Sequence, residues 1–243
     1  MQNKQQKLSQ DQIKSFYHDY FVESQVSDFI TLLGPSINTF TGSILDVGGG
    51  AGFFASAIKD RLSIKVTVLD SDAQSVDLCH QAGIEAIHGD ALTPVIIGSD
   101  NVVCFNLILH HLVGKSEEDT LGLQGRALSV WHPSAHAIIV NEYIYESFVI
   151  NEFSGRLIYR ITGSSLLSNL GRLVAKFIPT LKANTFGVGV RFRSHDEWQR
   201  IFISLGFDVV DTVKGKEEGV SLPRRLLFIK NCRRDSFLLR PLR

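Results

Sequence analysis

Residues 44–55, ILDVGGGAGFFA, constrain the fold more than any other stretch. Ile44, Leu45 and Val47 make a short apolar, partly β-branched run of the kind that forms a buried parallel strand. Gly48, Gly49, Gly50 and Gly52 follow, and then Phe53, Phe54, Ala55, Ala57 and Ile58 begin a helical apolar pattern. A strand, a glycine turn and a helix allow backbone to approach a nucleotide closely, with the free N–H groups of the helix start facing it. Asp46 stands at the strand end. A carboxylate is costly to bury, so it must bond turn amides or face a ligand with positive charge. Asp46, Gly48, Gly50 and Gly52 fit D-x-G-x-G-x-G. Gly50, Gly52 and Ala55 also fit the dinucleotide pattern G-x-G-x-x-A, and Asp70 lies about 20 residues beyond Gly50. The turn alone leaves both readings open.

The chain beyond the turn repeats strand and helix. Residues 65–69 (KVTVL) predict a second strand with Asp70 at its tip, where a carboxylate can accept both hydroxyls of a ribose. Asp72 reads as the N-cap of a helix over 73–82 that Gly83 ends. Residues 84–87 are a short third strand, followed by His88-Gly89-Asp90-Ala91. Residues 101–109 (NVVCFNLIL) are apolar enough for a central strand and run into His110-His111-Leu112. A fifth strand over 137–140 ends at Asn141-Glu142-Tyr143. This rhythm predicts one doubly wound parallel sheet. Ligands of such sheets bind beyond the carboxyl ends of the strands, which is where His110, His111 and Glu142 fall. A neutral imidazole there can remove a proton from a hydroxyl or amine. Either histidine fits the role, and Glu142 would orient a histidine, bind substrate or be solvated. No metal site is expected, because the histidine pair lacks a further cluster of ligands.

Both ends of the chain and residues 145–193 depart from the rhythm. Ser9 and Gln12 have the spacing of a capping box, and Ile13, Phe16, Tyr17, Tyr20 and Phe21 form a helical stripe. A second helical piece covers 26–33, so residues 1–41 read as an N-terminal helical lid. Residues 145–193 are too long for a simple connection and read as a helical cap insertion. There Leu166, Leu167, Leu170, Leu173, Val174, Phe177 and Ile178 form a stripe with Arg172 and Lys176 on the other side. The main expectation is a cap helix packed on the domain, and the lesser one is contact with a membrane surface or access for a lipophilic substrate. A helix from Arg193, a strand over 207–213 and a last strand over 226–230 complete a domain spanning 42–230. Residues 231–243 then read as a tail.

The balance of 25 basic and 25 acidic residues argues against a mainly electrostatic nucleic-acid binder. Cys79, Cys104 and Cys232 are too few and scattered for a disulfide framework. No run of about 18 apolar residues predicts a spanning helix, and the polar N-terminus lacks a signal core. A cytoplasmic protein is expected.

The D-x-G-x-G-x-G turn, the second-strand acid, Gly89-Asp90-Ala91, the fourth strand and the terminal helix–strand–loop–strand occur together in one order. In that order they resemble the class I S-adenosylmethionine (SAM)-dependent methyltransferases of the small-molecule type. The resemblance implies an α/β fold with a doubly wound, mostly parallel seven-stranded sheet closed by an antiparallel hairpin. It implies SAM as cofactor, held by Asp46, Gly48, Gly50, Gly52, Asp70, Asp90, Ala91 and Asn106, with S-adenosylhomocysteine as product. It gives Asp90 the adenine amino group and Ala91 N–H a ring nitrogen. Tyr17 is either core packing or the aromatic residue that shields the sulfonium. The implied activity is methylation of an oxygen or nitrogen of a small, apolar or aromatic acceptor, with His110 or His111 as base and Glu142 as partner. After Asn106 the chain reads Leu-Ile-Leu rather than Pro-Pro-Tyr, which argues against DNA bases as acceptors. A homo-oligomer is compatible with this reading. The alternative is a protein of this fold that binds the cofactor without methylating, as a rearrangement catalyst or a scaffold.

Overall fold

The computed structural model describes residues 21–34, 42–94, 101–150, 152–178, 181 and 185–242. The capping box at Ser9, Tyr17 and Tyr20 lie outside the described residues. In chain order the elements are α1 (Val22–Leu33), β1 (Ile44–Val47), α2 (Phe53–Leu62), β2 (Val66–Asp70), α3 (Ala73–Gln81), β3 (Glu85–His88) and β4 (Asn101–Asn106). A 3₁₀ turn (Leu109–His111), α4 (Glu117–Ser129), β5 (Ala135–Ser147), α5 (Phe153–Gly163), α6 (Ser165–Phe177) and α7 (His195–Ser204) follow. The chain then adds β6 (Phe207–Lys214), the short α8 (Leu222–Arg225) and β7 (Ile229–Pro241).

The strands form a seven-stranded sheet in the order β3-β2-β1-β4-β5-β7-β6. All neighbours are parallel except β7, which runs antiparallel to both β5 and β6. Because successive side chains alternate across a strand, the sheet feeds two cores. Leu45, Val47, Val103 and Phe105 point to the layer that holds Leu123 and Leu128 of α4 and Trp198 and Phe202 of α7. Ile44, Val102 and Cys104 point to the opposite layer, with Val26 and Phe29 of α1 and Phe54 and Ile58 of α2. This doubly wound architecture is the expected one.

Besides β4, which stops at Asn106 rather than running to 109, and residues 226–228, which turn rather than open the last strand, two segments differ from expectation. Residues 231–241 are not a tail: they form most of β7, whose register runs from Ile138↔Leu239 to Ser147↔Ile229 along β5. The charges that made the segment read as solvated are neutralised inside the sheet. Asp235 is fully buried, accepts from Arg233 Nε at 2.9 Å and meets His195 Nδ1 at 2.8 Å. The long partner also explains why β5 continues past residue 140: Asn141 and Glu142 find partners rather than water, with Asn141 donating to Ser236 Oγ at 2.7 Å.

The second difference is the cap. β5 occupies residues 145–147 of the expected insertion, and α5 and α6 follow as a hairpin. α6 does not bury its apolar stripe. Its buried residue is Ser168, whose hydroxyl donates to Ile161 and Thr162 carbonyls at 2.9 Å. Gly171 lets the Phe186 ring approach so closely that an added Cβ would stand 2.7 Å from it. Small residues set the docking face because they permit the closest approach, and the leucines are left outside. Among the described residues no helix is long and apolar enough to cross a membrane.

Removal of residues 231–243 deletes the strand that joins β5 to β6, and the truncated chain is expected to lose cooperative thermal unfolding by circular dichroism. Phe237→Ala, at a fully buried β7 position, is expected to cost about 3–5 kcal/mol, read as a lowered urea midpoint. A sharp melt from the truncated chain would contradict this account of β7.

Candidate active site

The carboxyl ends of β1, β2, β4 and β5 bring together most of the chemistry. Asp46 is fully buried. Asn106, at the end of β4, donates Nδ2 to its Oδ1 at 3.0 Å, while Oδ2 has no hydrogen-bond partner among the described residues. Burial pushes the Asp46 carboxyl up to about 7, against the opposing Asn106 bond and with a smaller contribution from the charge of Asp70. The turn above it requires glycine. Gly48 has φ +70° and an added Cβ there would collide with the Ile108 side chain, and a Cβ on Gly49 would collide with Asp46 Oδ2. Gly48 N–H donates to Leu69 O at 2.7 Å, which ties the turn to the end of β2.

Asp70 accepts from Gly50 N–H at 2.9 Å and from Asp72 N–H at 2.8 Å, one on each oxygen. Each carboxylate oxygen keeps a further lone pair for a ligand hydroxyl. Burial raises its pKa, and the backbone bonds oppose the shift. Asp72 caps α3 by accepting from Ser75 N–H at 2.9 Å. Asp90 accepts from Leu92 N–H at 2.9 Å in the turn after β3, and Ala91 is buried.

The histidines occupy the 3₁₀ turn after β4. Leu107 precedes it with φ +57°, a left-handed conformation that is strained for leucine. Its N–H donates to Asn141 O at 2.8 Å, so β5 fixes the sharp exit from β4. Glu142, fully buried, is the anchor. Its Oε1 accepts from Leu109 N–H at 2.7 Å, and its Oε2 lies 2.6 Å from His110 Nδ1. A carboxylate on Nδ1 holds a proton there and leaves Nε2 as the basic nitrogen. The His110 ring sits among His111, Phe192 and Tyr143 at centroid distances of 4.1, 5.0 and 5.7 Å. Phe192 in turn stacks on Tyr145 at 4.3 Å. Burial, and then the neighbouring His110, hold the His111 pKa well below the usual imidazole value, so His111 is neutral.

Hydrogen bonds and ion pairs tie the histidine turn to the segment after the cap. Arg191 N–H donates to His110 O at 3.0 Å. The Arg191 guanidinium is buried and donates to Glu117 at 2.6 Å and Glu197 at 2.7 Å. Arg193 also pairs with Glu197 and donates Nε to Gln124 Oε1 at 2.8 Å, and Gln124 Nε2 donates to Leu109 O at 2.9 Å. Tyr159 of α5 donates to Gly114 O at 2.8 Å. Sequence reasoning missed Leu107, Gln124, Phe192 and Arg193. The one signal was polar residues on otherwise core-facing positions.

The structure thus brings Asp46, Gly48, Asn106, His110 and Glu142 to one edge, with Asp70 joined through Gly50 and Asp90 on the turn after β3. An open cleft of about 490 Å³ lies at the other end of the sheet, against Ser43, Lys65, Thr67 and Glu85. Its facing charges, Lys65 and Glu85, neutralise each other across 3.1 Å. The half-partnered acid and the oriented imidazole are the better markers of chemistry. Among the described residues no group of three His, Cys, Asp or Glu could hold a metal ion.

No family model and no curated protein matches the sequence. Solved structures do match it in fold. The mitomycin 7-O-methyltransferase MmcR aligns over 82% of this chain and 49% of its own, at 18% identity and TM-score 0.50. A SAM-dependent methyltransferase from Archaeoglobus fulgidus aligns over 91% and 100%, at 15% identity and TM-score 0.52. A pericyclic reaction enzyme aligns over 89% and 48%, at 14% identity and TM-score 0.51. The chain therefore has the Rossmann-like fold of the class I SAM-dependent methyltransferases. It spans about half the length of the mitomycin enzyme and of the pericyclic enzyme.

The raised Asp46 pKa has a defined sign. The folded chain holds this proton up to about pH 7 and the unfolded chain releases it near 3.8. The favourable contribution is present below the unfolded value and is lost as pH rises through the folded one. Asp46→Asn removes the titration. It is expected to be more stable than the native chain at pH 8 by on the order of a few kcal/mol, read as a higher denaturant midpoint, with the gap closing toward pH 4. A gap that widens as pH falls would contradict the burial of this carboxyl.

Proposed function

We propose that the protein binds SAM and transfers its methyl group to an oxygen or nitrogen of a small organic acceptor, releasing S-adenosylhomocysteine. One observation carries the reading. A buried, partly unpartnered carboxylate beneath a glycine turn shares a sheet edge with a carboxylate-oriented imidazole. The residues fit the cofactor. Asp46 would organise the turn near the methionine ammonium, and a cation nearby relieves its desolvation. Gly48, Gly50 and Gly52 let backbone approach, and Asn106 fixes Asp46. Asp70 would accept the ribose hydroxyls, while Asp90 and the Ala91 N–H would meet the adenine. When bound, the cofactor supplies a methyl carbon made electrophilic by its sulfonium.

The chain's own groups do the rest. Holding an acceptor in line is worth roughly 7–11 kcal/mol in good cases. His110 Nε2 would take the acceptor proton. Glu142 keeps the ring in the required tautomer and stabilises the imidazolium that forms. Tyr143 and Phe192 beside His110 favour an apolar or aromatic acceptor. A second reading is that the chain binds SAM and catalyses a rearrangement, favoured by the pericyclic enzyme of the same fold.

Titration calorimetry tests the cofactor site. The native chain should bind SAM, and Asp70→Ala should bind it at least about tenfold more weakly, because hydrogen bonds to a charged group are lost. Full affinity in a chain with both Asp46 and Gly50 altered would sink the assignment. With methyl-labelled SAM and a metabolite extract, label transfer supports methylation, and substrate conversion without label supports rearrangement. Once an acceptor is found, His110→Ala should lower kcat by on the order of 10²–10⁴-fold with SAM affinity unchanged.

A further inference from the structure

α6 departs from the other long helices in what it shows to solvent. α1 buries Val22, Val26, Phe29 and Leu32 to within 7% of full burial. In α6, Leu166, Leu170, Leu173 and Phe177 follow one another at helical spacing along a single line, with Leu167 and Val174 widening it into an arc. All six are exposed, Leu166 by 77% and Phe177 by 80%. The turn leading into the hairpin adds exposed Phe148, Val149 and Ile150. Contiguous exposed leucine and phenylalanine of this kind mark a contact surface.

Charge selects the partner. The chain is neutral overall, yet from Phe153 to Arg193 it contains no Asp or Glu, while Arg156, Arg160, Arg172, Lys176, Lys182, Arg191 and Arg193 fall in that span. Arg191 and Arg193 are neutralised inside the fold by Glu117 and Glu197. Arg156 pairs with Glu152 at 2.7 Å. Arg160 and Lys176 are exposed, and among the described residues Arg172 donates to neutral oxygens, of Asn169 at 2.8 Å and Phe186 at 2.7 Å. Lys176 lies next to the apolar arc around the helix, and Arg172 lies on the opposite face, towards Ser168. An apolar arc on a helix whose charged residues are all cations set off the arc is the composition of a helix that lies in a lipid interface.

We propose that α6 seats its apolar arc in the interfacial region of an anionic phospholipid bilayer, with Lys176 at the headgroups. The contact does not rest on the methyl-transfer reading.

Co-sedimentation of the full chain with vesicles tests it. The chain should sediment with vesicles of phosphatidylcholine and phosphatidylglycerol in equal parts, weakly with phosphatidylcholine alone, and less as salt is raised. Lys176→Ala should weaken binding to the anionic vesicles about fivefold. Leu173→Ser combined with Phe177→Ser should weaken it more than about tenfold. These side chains are exposed, so melting temperature and SAM titration should match the native chain, which separates lost contact from lost fold or lost cofactor site. Absence of sedimentation with anionic vesicles, or equal binding to both vesicle types, would overturn the proposal. So would a dimer in analytical ultracentrifugation that the double variant dissolves while the native chain ignores lipid.

Discussion

A carboxylate removed from water must be met by whatever the fold can bring to it, and Glu142 shows how much structure that requirement recruits. It lies fully buried within β5, where ionisation is tolerable only with several donors. The donors are the backbone of the turn after β4 and the His110 ring. Satisfying Glu142 therefore sets the turn, and the turn in turn sets the imidazole. The left-handed Leu107 is the conformational cost of bending the chain sharply enough to deliver those donors. Gln124 and Arg193 then secure the opposite side of the turn through the Leu109 carbonyl. A single desolvated acid thus accounts for the position of a residue that neither helix nor strand would hold by itself.

The two halves of the edge are also locked to each other. Asn106 reaches from β4 to Asp46 on β1, and Ile108 occupies the space that the missing side chain of Gly48 leaves open. A shift of the histidine turn would therefore press on the glycine turn. The coupling runs through neighbouring parallel strands, Asp46 standing beside Cys104 in the β1–β4 register.

The elements legible in the sequence were those whose pattern is local. The strand–glycine–helix unit, the acids at strand tips and the Asp72 cap are dictated within a few residues, and the structure has them at those places. β7 was not legible because its polar residues are satisfied by partners far away in sequence, such as His195 and Glu146, so Arg233 and Asp235 read as surface. The cap shows the opposite failure. Its leucines read as core because apolar periodicity reports a face, not which neighbour covers it. At the site, the residue types at the edge were readable, whereas Leu107, Gln124 and Arg193 act through a backbone angle and through contacts that no spacing encodes.

The position of β7 carries a consequence for how the protein is made. Among the described residues β6 pairs with no strand but β7, and β5 meets β6 only through it. During synthesis β5 and β6 both leave the ribosome before the strand that unites them exists. Until then each presents an unsatisfied edge, and the apolar Phe207 and Val140 wait beside a gap that Phe237 and Leu239 later fill. The sheet closes by insertion rather than by addition at its rim, so the half-made chain is the form most in need of protection from its neighbours.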